Sequence, residues 1–178
     1  LRGHQNGLFH AAFSADGSRV VTASMDHTAK IWDALGGREI ATLTGHTDEV
    51  MSVSISRDGA LLLSASDDGT ARIWSVRSGK EQRVLRGHKR SVTRAVFRPD
   101  GMQVASSGSV GEVKIWDPKG GQESRSFSAH QGAIWGLAFS PDGTRLATAG
   151  NDESACIWDP HSGQELMRLR GHESAVFD

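Results

Sequence analysis

Residues 46–87 decide the fold of this 178-residue chain. They read HTDEVMSVSISRDGALLLSASDDGTARIWSVRSGKEQRVLRG. Short runs of largely alternating polar and apolar side chains are separated by Asp-Gly and Ser-Gly pairs, which favour tight turns between antiparallel strands. The pattern predicts strands over residues 50–56, 61–66, 70–74 and 81–85. Because the connections are short, we expect one antiparallel meander, and no part of the chain has sustained helical periodicity.

This unit repeats with a period of 42 residues and without insertions. The complete repeats occupy residues 4–45, 46–87, 88–129 and 130–171, and residues 172–178 begin a fifth. A meander of this size cannot bury both of its faces, so neighbouring units must stack on one another. Radial stacking of such sheets gives a β-propeller, in which each repeat is one blade.

A histidine, a hydroxyl, a carboxylate and a tryptophan recur at one register. The first, second and fourth repeats contain His4, Thr22, Asp26 and Trp32; His46, Ser64, Asp68 and Trp74; and His130, Thr148, Asp152 and Trp158. The third repeat contains His88, Ser106 and Trp116, but Val110 replaces the aspartate. These sets could be misread as hydrolase triads, yet an enzyme needs one tuned site, and no Gly-x-Ser-x-Gly nucleophile elbow is present. We therefore expect no enzyme activity.

Gly45-His46 followed by Trp74, and Gly87-His88 followed by Trp116-Asp117, resemble the motif of the WD-repeat β-propeller family. The resemblance covers residues 1–178 as a single array. It implies a structural tetrad in each blade: the indole N–H meets the strand hydroxyl, the hydroxyl meets the histidine, and the turn aspartate holds the histidine. Ser24 and Ser66 are alternatives for the hydroxyl.

The tetrad also has a physical reason that does not depend on the family. A buried indole N–H without an acceptor costs about 1–3 kcal/mol, and a polar chain that runs back to the loop satisfies it. Because Val110 cannot hold a histidine, we expect the tetrad of the third repeat to be incomplete and its turn to be looser.

The number of blades predicts an incomplete ring. Members of the WD-repeat family usually close seven blades, and sometimes six or eight, whereas this chain has four consecutive four-stranded antiparallel blades. We expect a fragment of a larger protein whose remaining blades complete the ring. The alternative is that a second copy of the chain supplies four more blades.

The resemblance implies a non-catalytic scaffold for protein–protein interaction, with other proteins or peptides as partners. Large apolar residues follow the motif histidines by five positions and are candidate partner contacts or inter-blade packing residues: Phe9, Met51, Trp135 and Phe177. Lys89 and Arg90 lie in the basic run 83–98, which would suit an acidic partner or form a solvated rim. The alternative function is a sensor or targeting module of a multidomain signalling enzyme, such as a bacterial protein kinase or nucleotide-binding signalling protein.

Composition argues against several other classes. The net charge of −1 disfavours nucleic-acid binding, and no apolar stretch approaches the ~20 residues of a membrane span. The lone Cys156 excludes a disulfide framework and a cysteine-based zinc cluster. His10, His27 and His161 share no ligand spacing, so we expect neither a metal nor another cofactor. Because the start of the chain has no signal-peptide pattern, we expect a cytoplasmic protein.

Overall fold

The computed structural model describes residues 2–177, which form sixteen β-strands and no helix. Blade one consists of β1 (Leu8–Phe13), β2 (Arg19–Ser24), β3 (Ala29–Asp33) and β4 (Glu39–Leu43). Blade two consists of β5 (Val50–Ile55), β6 (Leu61–Ser66), β7 (Thr70–Ser75) and β8 (Glu81–Arg86). Blade three consists of β9 (Val92–Phe97), β10 (Val104–Gly108), β11 (Glu112–Trp116) and β12 (Glu123–Ser128). Blade four consists of β13 (Ile134–Phe139), β14 (Leu146–Gly150), β15 (Ser154–Trp158) and β16 (Glu165–Arg170).

Each blade is one antiparallel sheet whose four strands are paired in chain order. The turn between β5 and β6 shows why the chain reverses there. Gly59 adopts a φ of 70°, and its N–H donates to the Ser56 carbonyl at 2.8 Å. Asp58 Oδ1 accepts from the Ser56 hydroxyl at 2.6 Å and from the Ala60 N–H at 3.0 Å. Glycine supplies the left-handed conformation and aspartate satisfies the turn, so Asp-Gly ends the strand.

Successive blades pack through apolar layers. The first strands contact one another in the order β1, β5, β9, β13. Each of the three buried clusters unites the last strand of one blade with the tryptophan of the next: Leu43 with Trp74, Leu85 with Trp116, and Phe127 with Trp158. The Phe127 and Trp158 ring centroids are 4.8 Å apart. Within the described part of the chain the blades do not close a ring, which confirms the predicted all-β incomplete propeller.

Candidate functional site

The polar tetrad of blade two links one loop and two strands. His46 precedes β5, Ser64 lies on β6, Asp68 lies in the following turn, and Trp74 lies on β7. Trp74 Nε1 donates to Ser64 Oγ at 2.8 Å, and Ser64 Oγ lies 2.7 Å from His46 Nε2. His46 Nδ1 lies 2.8 Å from Asp68 Oδ2. Because a carboxylate only accepts, Nδ1 carries the proton and Nε2 accepts from the Ser64 hydroxyl.

This connectivity from serine to histidine to aspartate matches that of a hydrolytic triad, so burial must distinguish the two roles. The Ser64 side chain is fully buried and its oxygen already accepts from an indole. A substrate carbonyl therefore has no approach to this oxygen. The hydroxyl instead connects β6, β7 and the histidine loop.

Blades one and four contain the same arrangement with threonine as the hydroxyl. His4 lies 2.8 Å from Asp26 and 2.7 Å from Thr22, which accepts from Trp32 at 2.8 Å. In blade four, both His130 contacts, to Asp152 and Thr148, are 2.7 Å, and Trp158 donates to Thr148 at 2.9 Å. Ser24 and Ser66, the alternative hydroxyls, are not part of the tetrads, because they donate to the backbone carbonyls of Gly7 and Asp48 respectively.

Blade three differs from the sequence prediction. Ser106 Oγ lies 2.6 Å from His88 Nε2 and accepts from Trp116 Nε1 at 2.8 Å. His88 Nδ1 contacts Glu112 Oε1 at 2.8 Å, so the tetrad is complete and the predicted gap was wrong. Glu112 stands two positions after Val110, and its additional methylene lets the carboxylate reach the histidine.

The predicted looser turn in blade three was also wrong. The Gly111 N–H donates to the Gly108 carbonyl at 3.2 Å, and the equivalent bond of blade two, from Gly69 to Ser66, is also 3.2 Å. The Gly111 carbonyl further accepts from the N–H groups of Ala129 and His130. The turn of blade three is therefore fastened to the loop that opens blade four.

A second repeating polar pair was not predicted from the sequence. In blades one to three a cation on the third strand pairs with a glutamate on the fourth, at 2.9, 2.6 and 2.6 Å: Lys30 with Glu39, Arg72 with Glu81, and Lys114 with Glu123. In blade four, Cys156 occupies the cation position. Arg168 on β16 pairs with Glu165 at 2.7 Å and also reaches Asp152.

In blade four Ala129 stands where the other repeats have glycine. A Cβ on Gly45 would lie 2.9 Å from Arg72 Nη1. In blade four Cys156 holds the register of Arg72, and the Arg168 guanidinium donates to the Ala129 carbonyl at 3.1 Å. The loss of the cation is visible in the sequence, because the 42-residue period aligns Cys156 with Lys30, Arg72 and Lys114.

Burial and hydrogen bonds set the ionisation of the tetrads. Burial opposes the ionisation of Asp68, but hydrogen bonds from Thr70, His46 and the Thr47 N–H prevail and lower its pKa to about 2. Burial lowers the pKa values of His46 and His88 below the usual 6.5. The blade-two pair is therefore a neutral imidazole beside a carboxylate, which is the state that the tautomer assignment requires.

Three candidate partner contacts, Phe9, Met51 and Trp135, lie near the start of the first strand of a blade, and Phe177 follows blade four. Phe9 and Phe177 are exposed, and Met51 and Trp135 are half-buried. Trp135 Nε1 donates to Asn151 Oδ1 at 2.6 Å, and its ring centroid lies 6.1 Å from that of Phe177. These two aromatic side chains form a small apolar surface on blade four.

The basic run does not form one patch. Arg83 Nε donates to the Lys119 carbonyl at 2.9 Å, and Arg94 Nε donates to the Trp135 carbonyl at 2.7 Å. Arg98 lies 3.5 Å from Asp100. Lys89 and Arg90 are exposed in the loop after His88, so this pair remains the cationic part of the candidate surface.

Residues 2–177 contain neither a metal-ligand cluster nor a membrane-spanning helix. No group of three or more His, Cys, Asp or Glu side chains there is placed to hold a metal ion. No helix in the same range is long and apolar enough to cross a membrane.

Four-stranded blades, each with a tetrad of histidine, hydroxyl, carboxylate and tryptophan, define a WD-repeat β-propeller array. A family model described as the IFT122 first beta-propeller matches residues 8–178, so the chain belongs to this family of WD-repeat β-propellers. This confirms the resemblance found in the sequence.

Curated relatives match over about one repeat. Ribosome assembly protein 4 of Saccharomyces cerevisiae is 45% identical over 42 residues, which cover 24% of this chain and 8% of that protein. The Homo sapiens serine-threonine kinase receptor-associated protein is 42% identical over 41 residues, 23% of this chain and 12% of that protein. Its Dictyostelium discoideum counterpart is 37% identical over 43 residues, 24% and 15% respectively. The chain thus spans between 8% and 15% of the length of these relatives.

Proposed function

We propose that this chain is a non-catalytic scaffold segment of a larger protein and binds proteins or peptides at the edge where its first strands begin. One observation supports this most directly. The repeated polar groups are used within the blades, as the fully buried Ser64 hydroxyl shows, and are not available to a substrate. Five residues after the motif histidines the side chain varies from blade to blade, and two members of this register, Phe9 and Phe177, are exposed.

The surface on blades three and four suits a partner with an apolar anchor next to an acidic group. Asn151 holds the Trp135 indole N–H, which orients the ring, and Phe177 lies beside it. Aromatic side chains with restricted rotamers give large contact area at low entropic cost, and such residues dominate binding energy at interfaces. Lys89 and Arg90 add a positive charge that would steer an acidic segment to the site.

Selection from a random peptide display library tests this proposal, because the immobilised chain itself chooses its ligands. The dissociation constants of the selected peptides are then measured by calorimetry. We expect Trp135→Ala to weaken binding at least about tenfold, which is about 1.4 kcal/mol. Phe13→Ala is the matched control, because Phe13 is an exposed aromatic residue at the opposite end of β1.

The outcomes separate binding from packing. Loss of peptide affinity in the Trp135 variant with an unchanged melting temperature supports the contact role. An unchanged affinity overturns the proposed surface, and a melting temperature that falls together with affinity assigns Trp135 to the packing of blade four and overturns it as well.

A sensor or targeting module beside a signalling enzyme is the second proposal. The matched serine-threonine kinase receptor-associated proteins carry a name that links them to a kinase receptor, and this is the observation that favours it. The open reading frame on either side of residues 1–178 distinguishes the two. A kinase or nucleotide-binding domain fused to the array supports the module, and its absence supports the scaffold.

A further inference from the structure

A groove lies between blades two and three, at the edge where the first strands of the blades end. Five apolar side chains line it: Leu61, Phe97, Pro99, Met102 and Pro118. Leu61 and Phe97 also pack against the buried cluster that these two blades share, so the core fixes their position. The groove has a volume of about 470 Å³, which falls within the roughly 300–1,000 Å³ typical of ligand pockets. It can therefore accept a bulky side chain of another molecule.

Leu61 and Met102 differ from their counterparts at the other two junctions between blades. The 42-residue period aligns them with polar or small residues: Arg19 and Ala60 between blades one and two, and Gln103 and Thr144 between blades three and four. Met102 is 59% exposed. Since the other blades fold without an apolar side chain at these positions, packing within the blade does not require one. The apolar pair is thus a feature of one junction among the three in residues 2–177.

Two cations lie at the rim of this groove. Arg57, in the turn after β5, and Lys119, in the turn after β11, both line the groove and are exposed. Within residues 2–177 neither side chain has an ion-pair or hydrogen-bond partner. Arg83 Nε donates to the Lys119 carbonyl at 2.9 Å and brings a third positive charge to the same turn.

Two carboxylates also line the groove, but each is held within its own turn. Asp58 Oδ1 accepts from the Ser56 hydroxyl at 2.6 Å and from the Ala60 N–H at 3.0 Å. Asp100 Oδ1 accepts from the Met102 N–H at 2.9 Å, and Asp100 Oδ2 lies 3.5 Å from Arg98 Nε. These contacts leave the two rim cations without a counter-ion, and carboxylates on a partner would supply one.

We propose that this groove binds a linear peptide segment of a partner protein in which a bulky aliphatic residue is flanked by acidic residues. The aliphatic side chain packs on Leu61, Phe97 and Met102, and the flanking carboxylates pair with Arg57 and Lys119. An apolar centre with a polar rim is the usual anatomy of a protein interface. Charge complementarity selects the acidic segment, because a basic one would place like charges beside both rim cations. This site lies at the opposite edge from Trp135 and adds a second binding site to the array.

Methyl NMR of the chain labelled with ¹³C at its methionine methyl groups tests this proposal. The chain has four methionines, of which Met102 reports on the groove and Met51 on the register of the other candidate surface. The Met102→Leu chain assigns the Met102 resonance. The probe is the peptide acetyl-Glu-Asp-Leu-Asp-Glu-amide, with two controls that replace its leucine by serine or its four acidic residues by lysine.

We expect the acidic leucine peptide to shift the Met102 resonance saturably, with a dissociation constant of about 1 mM or tighter. Neither control peptide should shift it at the same concentrations. Lys119→Glu and Arg57→Glu should each raise the dissociation constant at least about fivefold, because attraction is replaced by repulsion. Lys80→Glu is the matched control, because Lys80 is exposed at the same edge of blade two but does not line the groove. It should leave the affinity unchanged.

The proposal is overturned if the acidic leucine peptide leaves the Met102 resonance in place, or if either control peptide shifts it equally. Equal losses of affinity in Lys119→Glu and Lys80→Glu overturn it as well, because they would reveal attraction to the net charge alone. A shift of Met51 without Met102 would place the peptide at the opposite edge and exclude the groove. Trp135→Ala should leave the Met102 shift unchanged, so the two surfaces can fail or succeed separately.

Discussion

Replacement of Ser64 by alanine is the most direct test of the tetrads. The hydroxyl accepts from Trp74 Nε1 at 2.8 Å and donates to His46 Nε2 at 2.7 Å, and it is fully buried. Alanine removes both bonds and leaves a buried indole N–H and a buried ring nitrogen without partners. Each costs about 1–3 kcal/mol, so Ser64→Ala should lower the free energy of unfolding by about 2–6 kcal/mol. The melting temperature of a chain of this length should fall by about 10 °C.

The same blade offers a matched control. Ser54 on β5 has a buried hydroxyl oxygen that has no hydrogen-bond partner among the described residues. Ser54→Ala removes an unsatisfied polar atom, so its effect should be neutral or stabilising. Ser64→Thr should also be close to neutral, because Thr22 and Thr148 fill the same role in other blades.

Urea and thermal unfolding, followed by circular dichroism, compare the three variants. If Ser64→Ala cost no more than Ser54→Ala, the tetrad would contribute nothing to stability and our account of the repeated residues would fail. A large loss in Ser64→Thr would locate the effect in the size of the side chain rather than in its hydrogen bonds.

Three other predictions concern acid, a turn and the exchanged carboxylate. In the folded chain the pKa of His46 lies below 6.5 and the pKa of Asp68 is about 2 instead of the usual 3.8, so the unfolded chain binds more protons as the pH falls. The melting temperature, measured from pH 8 to pH 2, should therefore fall first below about pH 6.5 and again below about pH 4. Gly111→Ala would place a Cβ against a backbone carbonyl of blade four, and calorimetry should show a loss of about 3 kcal/mol or more, whereas a neutral result would contradict the tight junction. Glu112→Thr should lower the free energy of unfolding, measured in urea, by about 1–3 kcal/mol, and adding Val110→Asp should restore most of this loss. Additive effects of the two substitutions would show that Glu112 does not take the role of the missing aspartate.

Most of the fold could be predicted from turn chemistry. The predicted strands of the second repeat, residues 50–56, 61–66, 70–74 and 81–85, agree with the observed strands to within one residue at each end. Asp-Gly and Ser-Gly pairs mark the reversals, and a strand between two such turns has little freedom in its length. The 42-residue period then propagates the assignment to every blade.

The role of Glu112 as the carboxylate of blade three could not be predicted from the aligned aspartate position alone. The 42-residue alignment shows only which residue occupies the aspartate position, and that residue is Val110. Glu112 reaches the same histidine from a position two residues away. Side-chain length and the direction of the turn decide this reach, and neither is visible in the spacing of motif residues.

The position of the cation in blade four was also missed, but it could have been inferred from the antiparallel pairing of β15 with β16. Cys156 on β15 is directly paired with Arg168 on β16. In the other blades the equivalent pairs join a cation to an uncharged residue, as Lys30 joins Thr42. The positive charge has thus moved across one strand pair to the neighbouring side chain. Reading the sequence as strand pairs rather than as separate positions would have found it.

These exchanges bear on where binding can evolve in such an array. When Val110 replaces an aspartate, Glu112 supplies the carboxylate, and when Cys156 replaces a cation, Arg168 supplies the charge. Variation inside the blade is therefore offset by a neighbour, because each buried polar group must keep a partner. The change from Phe9 to Trp135 follows the same rule, because Asn151, which stands where blade one has Met25, accepts from the added indole N–H. Because Phe9 is exposed and Trp135 is half-buried, variation between these two positions changes the surface of the array, as the proposed binding role requires.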